Sequence, residues 1–122
     1  MNEYKRCEIC LDIATEYHHR IFRSQNKALI KCEMNLIPLC RKCHSRIHSK
    51  SGHDIDQKIK LEFQNKLETI FIKEYFTEKE TREILQISEN ASKILFKTLK
   101  RYKEGYKRGD IIRACMGGKL II

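Results

Sequence analysis

Residues 35–48 read Asn-Leu-Ile-Pro-Leu-Cys-Arg-Lys-Cys-His-Ser-Arg-Ile-His, and two metal-ligand patterns overlap within them. Cys40 and Cys43 form a Cys-x-x-Cys half-site of the kind that holds zinc. His44 and His48 stand four apart, so on a helix both imidazoles leave the same face and can grip a second ion. Each half-site needs partners. Cys7 and Cys10 supply a second Cys-x-x-Cys pair, and the adjacent His18 and His19 supply further imidazole. Residues 1–53 therefore read as one folded unit with two metal-binding jobs.

Two Cys-x-x-Cys pairs make a closed tetrahedral thiolate site with no position left for substrate, so Cys7, Cys10, Cys40 and Cys43 are expected to hold a structural zinc. A module of about fifty residues buries little apolar surface, and a metal supplies the missing stability. Between the pairs, residues 16–22 read as a short strand and residues 36–39 as its return, with Pro38 at an edge or strand end. The polar connection, residues 23–34, is a loop that opens on Arg23. Residues 41–49 contain no breaker and read as a helix carrying His44 and His48. On a strand, successive side chains point to opposite faces, so His18 and His19 are given different jobs. One turns toward His44 and His48 as a metal ligand. The other addresses a water from the opposite side of a scissile phosphate.

The chain has 122 residues and a formal charge of +9, which points to a polyanionic partner. Residues 1–53 carry ten Lys/Arg against five Asp/Glu, residues 54–92 six against nine, and residues 93–113 eight against two. The basic charge thus gathers at both ends. No apolar run is long enough to span a bilayer and the first residues are charged, so a soluble, cytoplasmic protein without a membrane partner is expected. In a reducing compartment six cysteines serve as metal ligands or free thiols, and Cys32 and Cys115 are read as small buried hydrophobes.

Cys-x-x-Cys, then His-His, then Asn-Leu-Ile-Pro-Leu-Cys-x-x-Cys-His-x-x-x-His resembles the HNH (ββα-metal) endonucleases over residues 7 to about 49. The resemblance implies His19 as the general base that deprotonates the attacking water. It implies His18 and His44 as ligands of a catalytic divalent ion, with His48 as an additional ligand. Asn35 takes the place of the central Asn, whose side chain braces the loop and holds the base. The four cysteines match the structural zinc of the knuckle-bearing subset. Arg20, where many members carry an apolar residue, is expected to contact phosphate. Three neutral nitrogens suit Zn²⁺, Ni²⁺, Co²⁺ or Mn²⁺, and Mg²⁺ is the less expected ion because it prefers oxygen. Small proteins of this organisation resemble those of phages and prophages.

Beyond a hinge-like stretch at residues 49–54 the composition turns helical. An amphipathic helix is expected over residues 56–75, with Ile59, Phe63, Leu67, Ile70 and Phe71 on its apolar face. Thr77-Glu78-Lys79-Glu80 is a capping box for a second helix. Ser88 is the cap of a third that runs through Leu99 to Tyr102, and Asp110 the cap of a last short one ended by Gly117 and Gly118. The second and third helices resemble a helix-turn-helix, with Lys97, Lys100 and Arg101 toward DNA. The apolar tail, Lys119-Leu120-Ile121-Ile122, is expected to dock on the body or to pair two copies in a homodimer.

The fold class that follows is α+β: a ββα-metal module at residues 1–53 and an all-α region at residues 54–122. The function is metal-dependent hydrolysis of DNA phosphodiester bonds. A noncatalytic zinc module that binds and regulates DNA is the alternative. The histidines discriminate, since a purely structural four-cysteine knuckle needs none of them.

Overall fold

The computed structural model describes residues 5–122. Strands β1 (Glu16–His19) and β2 (Leu36–Leu39) pair antiparallel, with Glu16 opposite Leu39 and His18 opposite Ile37. The pleat buries His18, Ile37 and Leu39 together and leaves Tyr17 exposed. β1 is three residues shorter than expected. Its extension is replaced by the bond from Arg20 N to Asn35 O at 2.7 Å and by a turn in which Gln25 N and Asn26 N both reach Phe22 O. Pro38 lacks an amide donor, and its carbonyl accepts instead from Glu8 N at 3.1 Å, which lays the first cysteine knuckle along β2.

β2 runs directly into α1 (Arg41–Ile47), whose N-cap is Cys40. The helix ends at Ile47, so His48 is its C-cap rather than a helical residue. A 3₁₀ turn, Lys50–Gly52, then leads without a break into α2 (His53–Ile70). This corrects the hinge expected at residues 49–54. Gly52 is buried against the end of α1, and a Cβ there would lie 1.9 Å from the Arg46 carbonyl oxygen. The junction is a tight packing point that sets the angle between α1 and α2.

α2 stops five residues before Tyr75. Arg108 captures its last carbonyls, donating from Nε to Phe71 O and from Nη2 to Glu68 O, both at 2.6 Å. Tyr75 instead opens β3 (Tyr75–Phe76), which pairs antiparallel with β4 (Tyr106–Lys107). The region after residue 53 is therefore helical, as expected, with one pair of two-residue strands added to it. Between these strands lie α3 (Glu78–Leu85) and α4 (Glu89–Phe96), and α5 (Arg108–Cys115) follows β4. The capping box at Thr77 and Glu80 and the Ser88 cap are both formed. Asp110 sits in the first turn of α5, whose N-cap is Lys107.

α4 also ends early, at Phe96. The chain then leaves the helix so that Tyr102 can exchange two backbone bonds with Gly105, which holds φ +123° over the Phe76 carbonyl. Lys97 is thus the C-cap of α4, and Lys100 and Arg101 lie beyond it in a loop.

Two apolar clusters hold these elements. The smaller gathers Cys7, Ile37, Leu39, Cys43, Ile47 and Ile59 under the cysteine knuckle. The larger joins Ile21, Ala28, Leu29 and Cys32 of the β1–β2 connection to Phe63, Phe71, Phe76, Leu95 and Ile111. Cys32 and Cys115 are buried there as small hydrophobes. The tail docks on the body, where Gln64 donates to Ile121 O and accepts from Ile121 N. Among the described residues, no helix is long and apolar enough to cross a membrane.

Candidate active site and metal centres

The first centre is built by two turns. Leu11 adopts φ +67° and its N–H returns to Cys7 O, closing a knuckle that carries Cys7 and Cys10. Cys40 caps α1, its sulfur accepting from Cys43 N, so this pair sits at the start of the helix. All four sulfurs lie within 4.8 Å of one another. Cys10 Sγ and Cys40 Sγ are 3.6 Å apart. That is close to the edge of roughly 3.8 Å expected for a tetrahedron with 2.3 Å metal–sulfur bonds, and far above a disulfide length of about 2 Å. The electrostatics agree. Burial opposes ionisation of Cys7, but backbone hydrogen bonds from Cys10, Cys40 and Ile9 outweigh it and draw its pKa down to about 6. Burial and the other three sulfurs push Cys43 far up. Four clustered thiols cannot all ionise without a cation, and a divalent ion removes that conflict. The cysteines fit a structural zinc.

The second centre lies between β1 and α1. His18 points inward from the strand, His44 from the last turn of α1 and His48 from its C-cap, with one donor nitrogen of each within 4.8 Å of the others. Ring centroids are 4.9 Å apart for His18 and His44, 5.4 Å for His18 and His48, and 5.2 Å for His44 and His48. His18 is 3% exposed and its Nε2 has no hydrogen-bond partner. Burial, then the neighbouring His44 and His48, lowers its pKa to about 4. A buried, neutral, unpartnered imidazole nitrogen facing two others is suited to a transition-metal ion.

His19 leaves the strand on the opposite face, and its Nε2 lies 2.9 Å from the Ile30 carbonyl oxygen. A carbonyl only accepts, so Nε2 carries the proton and Nδ1 of the neutral ring keeps its lone pair. Asn35, which is fully buried, braces the loop on either side of this contact. Asn35 Oδ1 accepts from Ile21 N at 2.8 Å, and its Nδ2 donates to Ile21 O and Leu29 O. One side chain thereby ties the residue two beyond His19 to the residue before Ile30.

Arg20 is occupied: Nη1 donates to Ile59 O at 3.0 Å and lies 3.6 Å from Glu62 Oε1, which braces β1 against α2. Arg23 is exposed on the connection, and Lys97, Lys100 and Arg101 are exposed beyond α4.

Two contributors were not singled out in the sequence. Glu16 meets His44, its Oε2 against Nδ1, and this contact, followed by Arg41, holds the carboxyl below its usual range. The signal was its place two residues before His18, on the same strand face. Lys60 of α2 pairs with Asp56 at 2.9 Å and lies 4.1 Å above the Phe22 ring, which packs edge-on to His18. Nothing local marks Lys60, because its place depends on how α2 packs.

A ββα unit with a four-cysteine cluster and a three-imidazole cluster is the class these elements define. Residues 6–50 match the family model described as HNH endonuclease, and this stretch is similar to that family. No curated protein and no solved structure matches the chain significantly.

Proposed function

We propose that the protein is a metal-dependent endonuclease that hydrolyses DNA phosphodiester bonds. The convergence of His18, His44 and His48, with His18 Nε2 buried and unpartnered, carries this reading. A closed zinc knuckle that only binds DNA needs no such cluster. His19 Nδ1 accepts the proton of the attacking water, the work of a general base. The bond from Nε2 to Ile30 O keeps the ring in the tautomer that leaves Nδ1 free, and Asn35 holds the neighbouring Leu29 carbonyl. His18, His44 and His48 would hold a divalent ion, which supplies charge neutralisation at phosphorus and stabilisation of the departing 3′ oxygen. Nitrogen donors favour Zn²⁺, Ni²⁺, Co²⁺ or Mn²⁺ over Mg²⁺. The four cysteines hold the fold and take no part in the reaction.

The exposed Arg23, Lys97, Lys100 and Arg101 supply backbone contacts to DNA in this proposal, and α3 with α4 serves as a helix-turn-helix that is followed directly by three of them, Lys97 at the C-cap of α4 and Lys100 and Arg101 in the loop beyond. Arg20 is better suited to bracing α2 than to reaching phosphate. Supercoiled plasmid and a synthetic junction, incubated with purified protein and a series of divalent ions, test the activity. Nicking or linearisation that chelator abolishes is expected. Binding without cleavage under every ion would favour the noncatalytic alternative.

A further inference from the structure

Glu16 and His18 are two residues apart on β1, so both side chains stand on the strand face that α1 covers. α1 brings His44 over that face, and Glu16 Oε2 meets His44 Nδ1. The second oxygen, Oε1, lies 3.7 Å from Arg41 Nε, but the Arg41 side chain is 88% exposed, so this pair is a weak tether. An ionised carboxylate can only accept, so Nδ1 carries the proton and Nε2 is left as the one ligand atom His44 can offer. Among the described residues, His44 is the only imidazole of the three with a carboxylate on a ring nitrogen.

We infer that Glu16 is a positioning residue for the histidine centre: it fixes the His44 tautomer, turns Nε2 toward His18 and His48, and lends negative charge to an otherwise all-imidazole donor set. This rests on the reading that the trio binds a divalent ion. A carboxylate behind a ligating histidine raises the basicity of the ligand and restricts its rotation, and losing such a partner typically weakens metal affinity 10- to 100-fold. The bland alternative is a latch that merely joins β1 to α1.

The test is a Co²⁺ titration of protein already loaded with zinc, followed by visible absorption, with the thiolate charge-transfer region reporting any cobalt that strays to the cysteines. Glu16→Ala is expected to lower Co²⁺ affinity roughly 10- to 100-fold. Glu16→Gln, which keeps an acceptor but no charge, should fall between it and wild type. Long-range ¹⁵N–¹H spectra should place the His44 proton on Nδ1 in wild type and on both nitrogens in Glu16→Ala. Co²⁺ affinity within twofold of wild type in Glu16→Ala, or a lowered melting temperature with affinity unchanged, would overturn the inference in favour of the latch. None of these readouts uses cleavage. A wild type that binds Co²⁺ through its histidines, loses it in Glu16→Ala and cuts no DNA would sink the proposed activity and leave the role of Glu16 standing.

Discussion

At the scale of single residues, the pleat of β1 sends neighbouring histidines to different surroundings. His18 faces the ligand cluster, and His19 faces the Ile30 carbonyl across the loop. His19→Ala removes no candidate ligand, so it should retain affinity for the second ion while losing roughly 10²- to 10⁴-fold in cleavage rate, the usual contribution of a general base. His44→Ala removes a ligand and should lose both. Calorimetry on zinc-loaded protein, paired with single-turnover cleavage, separates the two. If His19→Ala abolished the second metal and His44→Ala kept it, the roles would be reversed. Asn35 was legible as the brace of the loop. Its three bonds to Ile21 and Leu29 became visible only when the connection was folded.

At the scale of elements, both ends of α1 are set by unusual means. Its start is capped by Cys40, a residue that also belongs to the four-cysteine cluster, so the cap and the cluster share one side chain. Cys40→Ser should leave the N-terminal module unfolded or protease-sensitive, because structural zinc contributes on the order of 10 kcal/mol to folding units of this kind. Equal melting temperatures for this variant and wild type would remove the structural role. The other end is set by Gly52, whose missing Cβ lets α2 start against the Arg46 carbonyl. A methyl group must force the two helices apart, so Gly52→Ala is expected to destabilise by about 1–3 kcal/mol. A flexible hinge would tolerate alanine with no loss, and thermal melts decide between them.

At the scale of the whole molecule, the chemistry of the first fifty residues depends on the rest of the chain for its packing. Asn26 Nδ2 donates to Ala114 O and Cys115 O, and Ile21, Ala28 and Leu29 share a core with α2 and the later helices. Removing everything after Tyr75 would strip the site loop of its apolar support, so the contribution of the basic C-terminal surface is better measured by point changes. Lys97→Ala with Lys100→Ala and Arg101→Ala leaves that core untouched. If these cations meet phosphates, the triple variant should bind duplex DNA more weakly, and the slope of log K against log salt should fall by roughly 0.9 for each lost contact. An unchanged slope would end the helix-turn-helix proposal while leaving the nuclease reading intact.

The sequence by itself determined which cysteines and histidines could pair locally, the ββα order of elements, and the caps at Thr77 and Ser88, because these depend on spacings of two to four residues within one strand, turn or helix. Tertiary structure decided the remainder. Where α2 and α4 stop was settled by Arg108 reaching Phe71 O and Glu68 O, and by Tyr102 pairing with Gly105. Whether the chain bends at Gly52 was settled by the Arg46 carbonyl. Arg20 was drawn to Ile59 and Glu62, and Lys60 to Phe22, from positions 38 to 42 residues apart in the chain. Local pattern reports which side chains share a face. Which partners meet that face depends on long-range packing, and no short window of sequence contains it.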